Sequence, residues 1–406
     1  MAIPSGGQDF STYNAITDYL NKSFAASMIR YAPNGTAPLF GLTGMMKMQR
    51  CTSVEHGYWS KTMVFPSVKI NNGGSAYTSG TTVLTVDDSS QVLAKDLLRH
   101  HTTGEILRVV SVDSATQITV TRAFGVIAAA AGSVADDATL YKVGTAFEQG
   151  STAPASRVIN PTRVMNYTQI FRNSWALPGT MEVIPAVAGG PIVAESKQEC
   201  GMFHSTDIES AFIFGQKKAT TDGGKYITAM SGIIEHIRTL APAGNTSTAG
   251  STTNYTQLEA MLEGVFNTNT DARIGSDRLL FTGGTGRSVI NNIGRLSGTY
   301  DIVDGQTNFG LQFQTFKTTR GTFRMIEHPL FNSNADWAKM ALAVDLPALT
   351  PRYLRPTINR EFGMDGKYVE SGTDAVGGTL TTELTLEVTN PSAFAVIYGL
   401  TAGAAG

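Results

Sequence analysis

The sequence predicts an α+β fold with a small all-β module inserted into it. Three observations carry this expectation. Residues 77–146 read as short strands at near-regular spacing, the pattern of a compact all-β unit. Beyond residue 191, amphipathic helical stretches alternate with apolar strands, as the two hydrophobic periods of 3.6 and 2 require. The composition favours turns and strands: 42 Gly and 50 Thr in 406 residues, with 16% charged, against about 25% in an average domain.

The elements follow in order. A polar, Gly-containing start precedes a helical stretch in which Tyr13, Ile16, Leu20 and Phe24 recur at helical spacing, ended by Pro33-Asn34-Gly35. Residues 51–76 read as extended, with a break at Pro66 and a turn at Asn71-Asn72-Gly73-Gly74. Within the inserted module, 81–86, 105–112, 117–122 and 139–143 read as strands, and the turn residues at 113–116 join the middle two as a hairpin. Residues 147–190 are extended again, with Pro154, Pro161 and Pro178 and a strand over 167–175. Pro191 suits the first position of a helix, and Val193, Cys200, Ile208, Ala211 and Gly215 share one face, so a long helix is expected over 191–217. Lys197 and His204 interrupt that face, and Gly201 weakens the helix by about 1 kcal/mol.

Ile227, Met230, Ile234 and Ile237 predict a further helix. A surface loop is expected over 244–253, where Ser, Thr, Gly and Asn dominate. Leu258, Met261, Leu262, Val265 and Phe266 predict the next helix, opened by a capping box between Thr256 and Glu259. Residues 278–282 read as a buried strand, followed by a glycine turn and a helix carrying Val289, Ile293 and Leu296. Near the end, Leu380, Leu384, Leu386 and Val388 alternate with Thr381, Glu383, Thr385 and Glu387, which predicts a strand with one wet face. Asn390-Pro391 turns the chain into a last strand over 393–400.

The same residues exclude several functions. A net charge of -2 leaves no electrostatic footprint for tight, general nucleic-acid binding. Two cysteines, Cys51 and Cys200, make no disulfide framework and imply a reducing compartment. No signal peptide and no apolar run of membrane-spanning length is seen, so the expectation is a soluble, cytosolic protein. Gly283-Gly284-Thr285-Gly286-Arg287-Ser288 sits where a phosphate cradle would, yet Phe281 and Arg287 stand where that motif needs Gly and Lys, so a tight turn is expected. His100-His101 would point to opposite faces of an extended segment and cannot share a metal. Asp87-Asp88 and Asp136-Asp137 read as turn acids, and Arg352, Arg355 and Arg360 form a modest basic group that reads as scattered surface charge, with nucleic acid or an acidic neighbour as the alternatives. No catalytic, metal or cofactor residues are assigned, which points away from an enzyme and towards a protein that works by contact.

Three stretches carry a family resemblance: Phe147-Glu148-Gln149-Gly150-Ser151, then Asn166-Tyr167-Thr168-Gln169-Ile170-Phe171-Arg172, then Asp207-Ile208-Glu209-Ser210-Ala211-Phe212-Ile213-Phe214-Gly215. In this order they resemble the tailed-bacteriophage major capsid proteins of the Hong Kong 97-type fold, in the branch with a β-domain inserted in the extended loop. The stretch 103–112 leading to 118–122 is similar to that insert. The resemblance implies an N-terminal arm and first helix (1–50), an extended loop with peripheral-domain strands (51–76 and 147–190), the inserted β-domain (77–146), a spine helix (191–217), an axial domain with returning peripheral segments (218–375) and C-terminal peripheral strands (376–406). It implies that Ile208, Ala211 and Phe212 pack the spine helix on the axial-domain body, and that Tyr167, Gln169 and Phe171 lie on an extended-loop strand.

The implied function is a capsid protein that self-assembles through hexamers and pentamers into an icosahedral shell around DNA, in the virion, after assembly in the host cytoplasm. The implied partners are other copies of itself, a portal, scaffold or cement proteins, and packaged DNA by weak non-specific contact, with no membrane and no cofactor. The sequence opens without a long acidic helical segment, so a separate scaffold or none is expected. The alternatives left open are an encapsulin-like nanocompartment shell, a β-rich tail or virion protein, and a nucleotide-binding α/β enzyme using residues 283–288.

Overall fold

The computed structural model describes residues 38–44, 49–61, 65–129, 134–154, 156, 158, 160–183, 191–266, 277–297, 307–308, 311–312, 314–362 and 375–403. The expected first helix around Tyr13 to Phe24 lies outside them. The chain divides into two compact units, Trp59–Arg163 and the remainder on either side of it.

Trp59–Arg163 is built on one six-stranded antiparallel sheet. Its strand order is Ser67–Lys69, Thr139–Thr145, Asp96–His100, Ile106–Ser114, Gln117–Thr121, Val83–Thr85. One face is closed by Val68, Leu84, Leu98, Leu107, Ile118, Val120 and Leu140, each at most 1% exposed. The unit is wider than residues 77–146, because Ser67–Lys69 pairs with Thr139, Leu140 and Tyr141, and because Val68 and Ile70 lie in the core. Strand Asp96–His100, near the middle of the sheet, had no apolar run to announce it. Its buried Asp96 is held by Lys142 at 2.6 Å, and the fully buried Glu105 takes two hydrogen bonds from Arg122, at 2.7 and 2.8 Å. Asn71 to Gly74 form a turn in which Gly73 and Gly74 adopt positive φ of 61° and 85°, and Asp136 accepts from the amides of Asn72 and Gly74.

Among the described residues, the other unit has two larger sheets beside two-stranded hairpins. A four-stranded sheet runs Gln49–Arg50, Leu349–Phe362, Ala375–Val388, Gln169–Pro178. A six-stranded mixed sheet runs Thr246–Thr248, Ala395–Tyr398, Ala341–Val344, Asp277–Thr282, Thr322–Glu327, Gln314–Lys317. Six α-helices are described: α1 (Pro38–Gly44), α2 (Gly179–Val183), α3 (Ile192–Phe214), α4 (Ile233–Leu240), α5 (Tyr255–Glu263) and α6 (Gly284–Ser297). The six-stranded sheet is buried on both faces, which explains the unbroken apolar run Leu279-Leu280-Phe281. Leu279, Phe281, Leu342 and Val344 face a core shared with α3 and α4. Leu280, Ala341, Ala343 and Ile397 face the core made by α5 and α6.

Several expectations need correction. Ile227 lies not on a helix but in a hairpin strand, Lys225–Ala229, paired with Lys218–Asp222 around Gly223 and Gly224 at positive φ. Helix α4 starts only after Gly232, whose backbone lies so close to Gly215 that an added Cβ would be 2.7 Å from the Gly215 amide nitrogen. The capping box of α5 uses Asn254 and Gln257, not Thr256 and Glu259: Asn254 Oδ1 accepts from the Gln257 amide at 2.9 Å and Gln257 Oε1 from the Asn254 amide at 3.1 Å. The expected loop at 244–253 contributes a strand to the six-stranded sheet, and its Asn245 is buried, donating to the carbonyls of Ser392 and Phe394. At Gly283 an added Cβ would lie 2.4 Å from Ala338 Cα, so the glycine serves close packing. Gly284 opens α6 and donates to Asn332 Oδ1 at 2.7 Å, and Arg287 is held by Gln314 and Glu327.

Candidate functional site

Helix α3 is the element on which the second unit is organised. Its inner face meets the core through Ile208, Phe212 and Ile213, all fully buried, with Ala211 half-buried against the same cluster. Phe203, on the same helix, is 65% exposed. Phe171 is buried in that cluster, on the strand Gln169–Pro178. Gln169 begins this strand and its Oε1 accepts from the Met230 amide at 3.1 Å. Tyr167 ends the preceding strand, Thr162–Tyr167, which pairs with Glu55–Ser60. Ile208, Ala211, Phe212 and Phe171 are therefore brought together, while Tyr167 and Gln169 stand at the corner between two strands.

Polar groups set where α3 sits. His204 interrupts the apolar stripe because it is one link in a chain of hydrogen bonds. Its Nδ1 lies 2.7 Å from Asn173 Oδ1 and its Nε2 2.7 Å from Thr382 Oγ1. Asn173 donates to Asp207 Oδ2 at 2.8 Å, and Thr382 lies 2.8 Å from Thr357 Oγ1. Because the Asn173 amide nitrogen is committed to Asp207, its oxygen faces His204, so Nδ1 carries the proton and Nε2 accepts from Thr382. Burial pushes the His204 imidazole below its ordinary range, with Asp207 opposing, which keeps it neutral.

The expected wet face of strand Ala375–Val388 is not wet. Of its four residues Glu383, Thr385 and Glu387 are buried, and Thr381 is half-buried. The acids are matched by arginines from the neighbouring strand: Arg355 Nε donates to Glu383 Oε2 at 2.7 Å and Arg352 Nε to Glu387 Oε2 at 2.8 Å. His56 Nε2 also reaches Glu387 Oε2, at 2.5 Å, and Thr168 donates to Glu383 Oε1 at 3.1 Å. Arg352 and Arg355 are thus not scattered surface charge. Burial pushes the Glu387 carboxyl up, but the hydrogen bonds from Arg352 and His56 outweigh it and leave it below the ordinary range. Beside it, Tyr58 donates to the Val388 carbonyl at 2.6 Å, and burial pushes its phenol up to about 12. His236 is buried nearby with Nε2 unpaired, and burial pushes its imidazole down to about 4.

Sequence reasoning missed Glu209, Glu383, Glu387 and His204 as structural groups. The available signal was charge standing inside apolar periodicity: two acids within an alternating strand and one histidine on a helix face. What this arrangement does chemically is hold elements in register. Among the described residues no group of three or more His, Cys, Asp and Glu could hold a metal ion, and no helix is long and apolar enough to cross a membrane.

Comparison with known proteins places this architecture. A family described as SU10 major capsid protein matches residues 7–401. A major capsid protein of Pseudomonas phage PaMx41 is 34% identical over 391 residues, covering 93% of this chain and 92% of that one. A solved structure from Microbacterium phage Oxtober96 shares the fold at a TM-score of 0.50 and 8% identity, covering 98% of this chain and 100% of that one.

Proposed function

The chain belongs to the SU10 major capsid protein family, and from that premise we propose how it works: copies of it tile a closed icosahedral shell that encloses a DNA genome. It is a phage capsid protein of the Hong Kong 97-type fold that assembles with itself and resides in the virion. The nanocompartment, tail-protein and enzyme readings give way to it. The observation that carries this is the family match along residues 7–401, nearly the whole chain.

The mechanism is geometric. Burial of apolar surface between copies drives assembly at roughly 25 cal/mol per Å², and a rigid protomer keeps the interface angles reproducible. The organised body around α3 supplies that rigidity. The unit Trp59–Arg163 serves as a domain inserted in the extended loop. The low charged fraction of 16% suits repeated close contacts, where each desolvated charge is costly. The net charge of -2 suits a wall that touches packaged DNA only weakly and non-specifically. A portal and scaffold or cement proteins complete the shell, which assembles in the host cytoplasm. Electron microscopy and size-exclusion chromatography of purified protein test this: capsomers or closed shells are expected. A monodisperse monomer of 43.2 kDa at micromolar concentration in every buffer tried would overturn it.

A further inference from the structure

Glu209, the fully buried acid of α3, serves two segments remote from it in sequence. Its Oε1 accepts from the Leu39 amide at 2.8 Å and from His328 Nε2 at 2.6 Å; its Oε2 accepts from the Phe40 amide at 2.6 Å. Leu39 and Phe40 are the second and third residues of α1, which opens with Pro38. The first amides of a helix have no partner inside it, and a proline has none to offer. Ala37, the preceding residue in the sequence, carries no side-chain acceptor. Glu209, 170 residues away from Leu39, supplies to this turn the kind of acceptor that a capping Ser, Thr, Asp or Asn gives.

His328 supplies the third donor. Its Nδ1 accepts from the Leu330 amide at 3.2 Å, so the proton sits on Nε2 and is donated to Glu209. The ring is packed between Phe331, stacked at 4.8 Å, and the edge of Phe281 at 5.5 Å. The His328 ring nitrogen and two backbone amides thus surround the Glu209 carboxyl group. Its two oxygens face the first turn of α1. Beside this, Leu39 is fully buried and the Phe40 ring lies 6.1 Å from that of Phe212.

We propose that Glu209 is the docking residue for segment 38–44: it latches this segment onto α3, as one unit that opens independently of the sheets. For its role in assembly this rests on the capsid reading, since the latch fixes segment 38–44 to the protomer body.

Amide hydrogen exchange on the full chain tests the latch. Glu209→Gln places an amide NH₂ among three donors and should speed exchange at Leu39 and Phe40 by about thirtyfold. The amides of Leu342 and Leu384, in the two sheets, should change by less than about threefold. Adding Ala37→Asp, a local cap, should restore much of the protection. Unchanged exchange at Leu39 and Phe40, or equal acceleration in the sheets, overturns the proposal. If Glu209→Gln does not fold, the wild type decides: exchange at Leu39 and Phe40 must precede global unfolding with a weaker denaturant dependence, and merger with the global transition overturns it. Shell formation is scored separately. A wild type that never forms shells sinks the capsid reading and leaves the latch standing, whereas Glu209→Gln shells of normal size and yield would remove the assembly role.

Discussion

Phe212 and Phe203 lie nine positions apart on α3, one fully buried and the other 65% exposed. Truncating each to alanine is the sharpest test of how this helix is seated. Phe212→Ala removes a ring from a core that α3 shares with both sheets of its unit. Those sheets are tied by strand pairing and cannot collapse freely into the space. A buried Phe→Ala change costs about 3–5 kcal/mol, transfer and cavity terms together, and this site belongs in the middle of that range. At about 2–4 °C per kcal/mol for a body of this size, the melting point should fall by roughly 10 °C. Phe203→Ala removes a side chain already in water, and should change protomer stability by less than about 0.5 kcal/mol. The assay is urea unfolding followed by fluorescence of Trp337, which stacks on Phe214 at 4.5 Å. Equal protein concentrations are needed, because association adds a concentration-dependent term. Equal losses in the two variants, or a loss below about 1 kcal/mol for Phe212→Ala, would refute the buried face. Ile208→Asp should be harsher still, since it leaves an unpaired charge in the same core.

Other outcomes follow from the same structure. His236 is neutral when folded, with its imidazole lowered from 6.5 to about 4. Its contribution is fully present above pH 6.5 and is lost as pH falls towards 4, at about 1.4 kcal/mol per pH unit and about 3 kcal/mol in all; His236→Leu should flatten that slope in calorimetric melts across pH 4–7. Arg352→Met strands the buried Glu387 and should cost about 3 kcal/mol, measured by urea unfolding. Arg355→Met, whose side chain is 45% exposed, should cost distinctly less. Residues 59–163 expressed alone should melt cooperatively with a β-type circular dichroism spectrum. A fragment of 77–146 should be markedly less stable, because it lacks Val68 and Ile70 of the core; equal melting points would contradict the strand pairing.

Local features of the sequence determined much of this protein. Pro191 and the apolar stripe through Ile208 mark a long helix that runs Ile192–Phe214, with Gly201 within it. The turn residues at 113–116 and the strands beside them specify the hairpin of Ile106–Ser114 and Gln117–Thr121. The motif around Asp207 to Gly215 carried the family, because a helix that must meet several elements at once leaves few choices at each position. Tertiary structure alone decided the rest. The acids Glu383 and Glu387 look like a solvated face because the arginines that neutralise them stand on another strand, 28 and 35 residues earlier. Ile227 fits a helical period, but the chain forms a hairpin first, and Gly232, in extended backbone, caps α4 only after it. Strand Asp96–His100 begins on an acid yet is central in its sheet, because Lys142, on the neighbouring strand, makes Asp96 tolerable there. In each case a short-range pattern records which faces are apolar. Whether a charge can be buried depends on a partner that only the fold brings within hydrogen-bond distance.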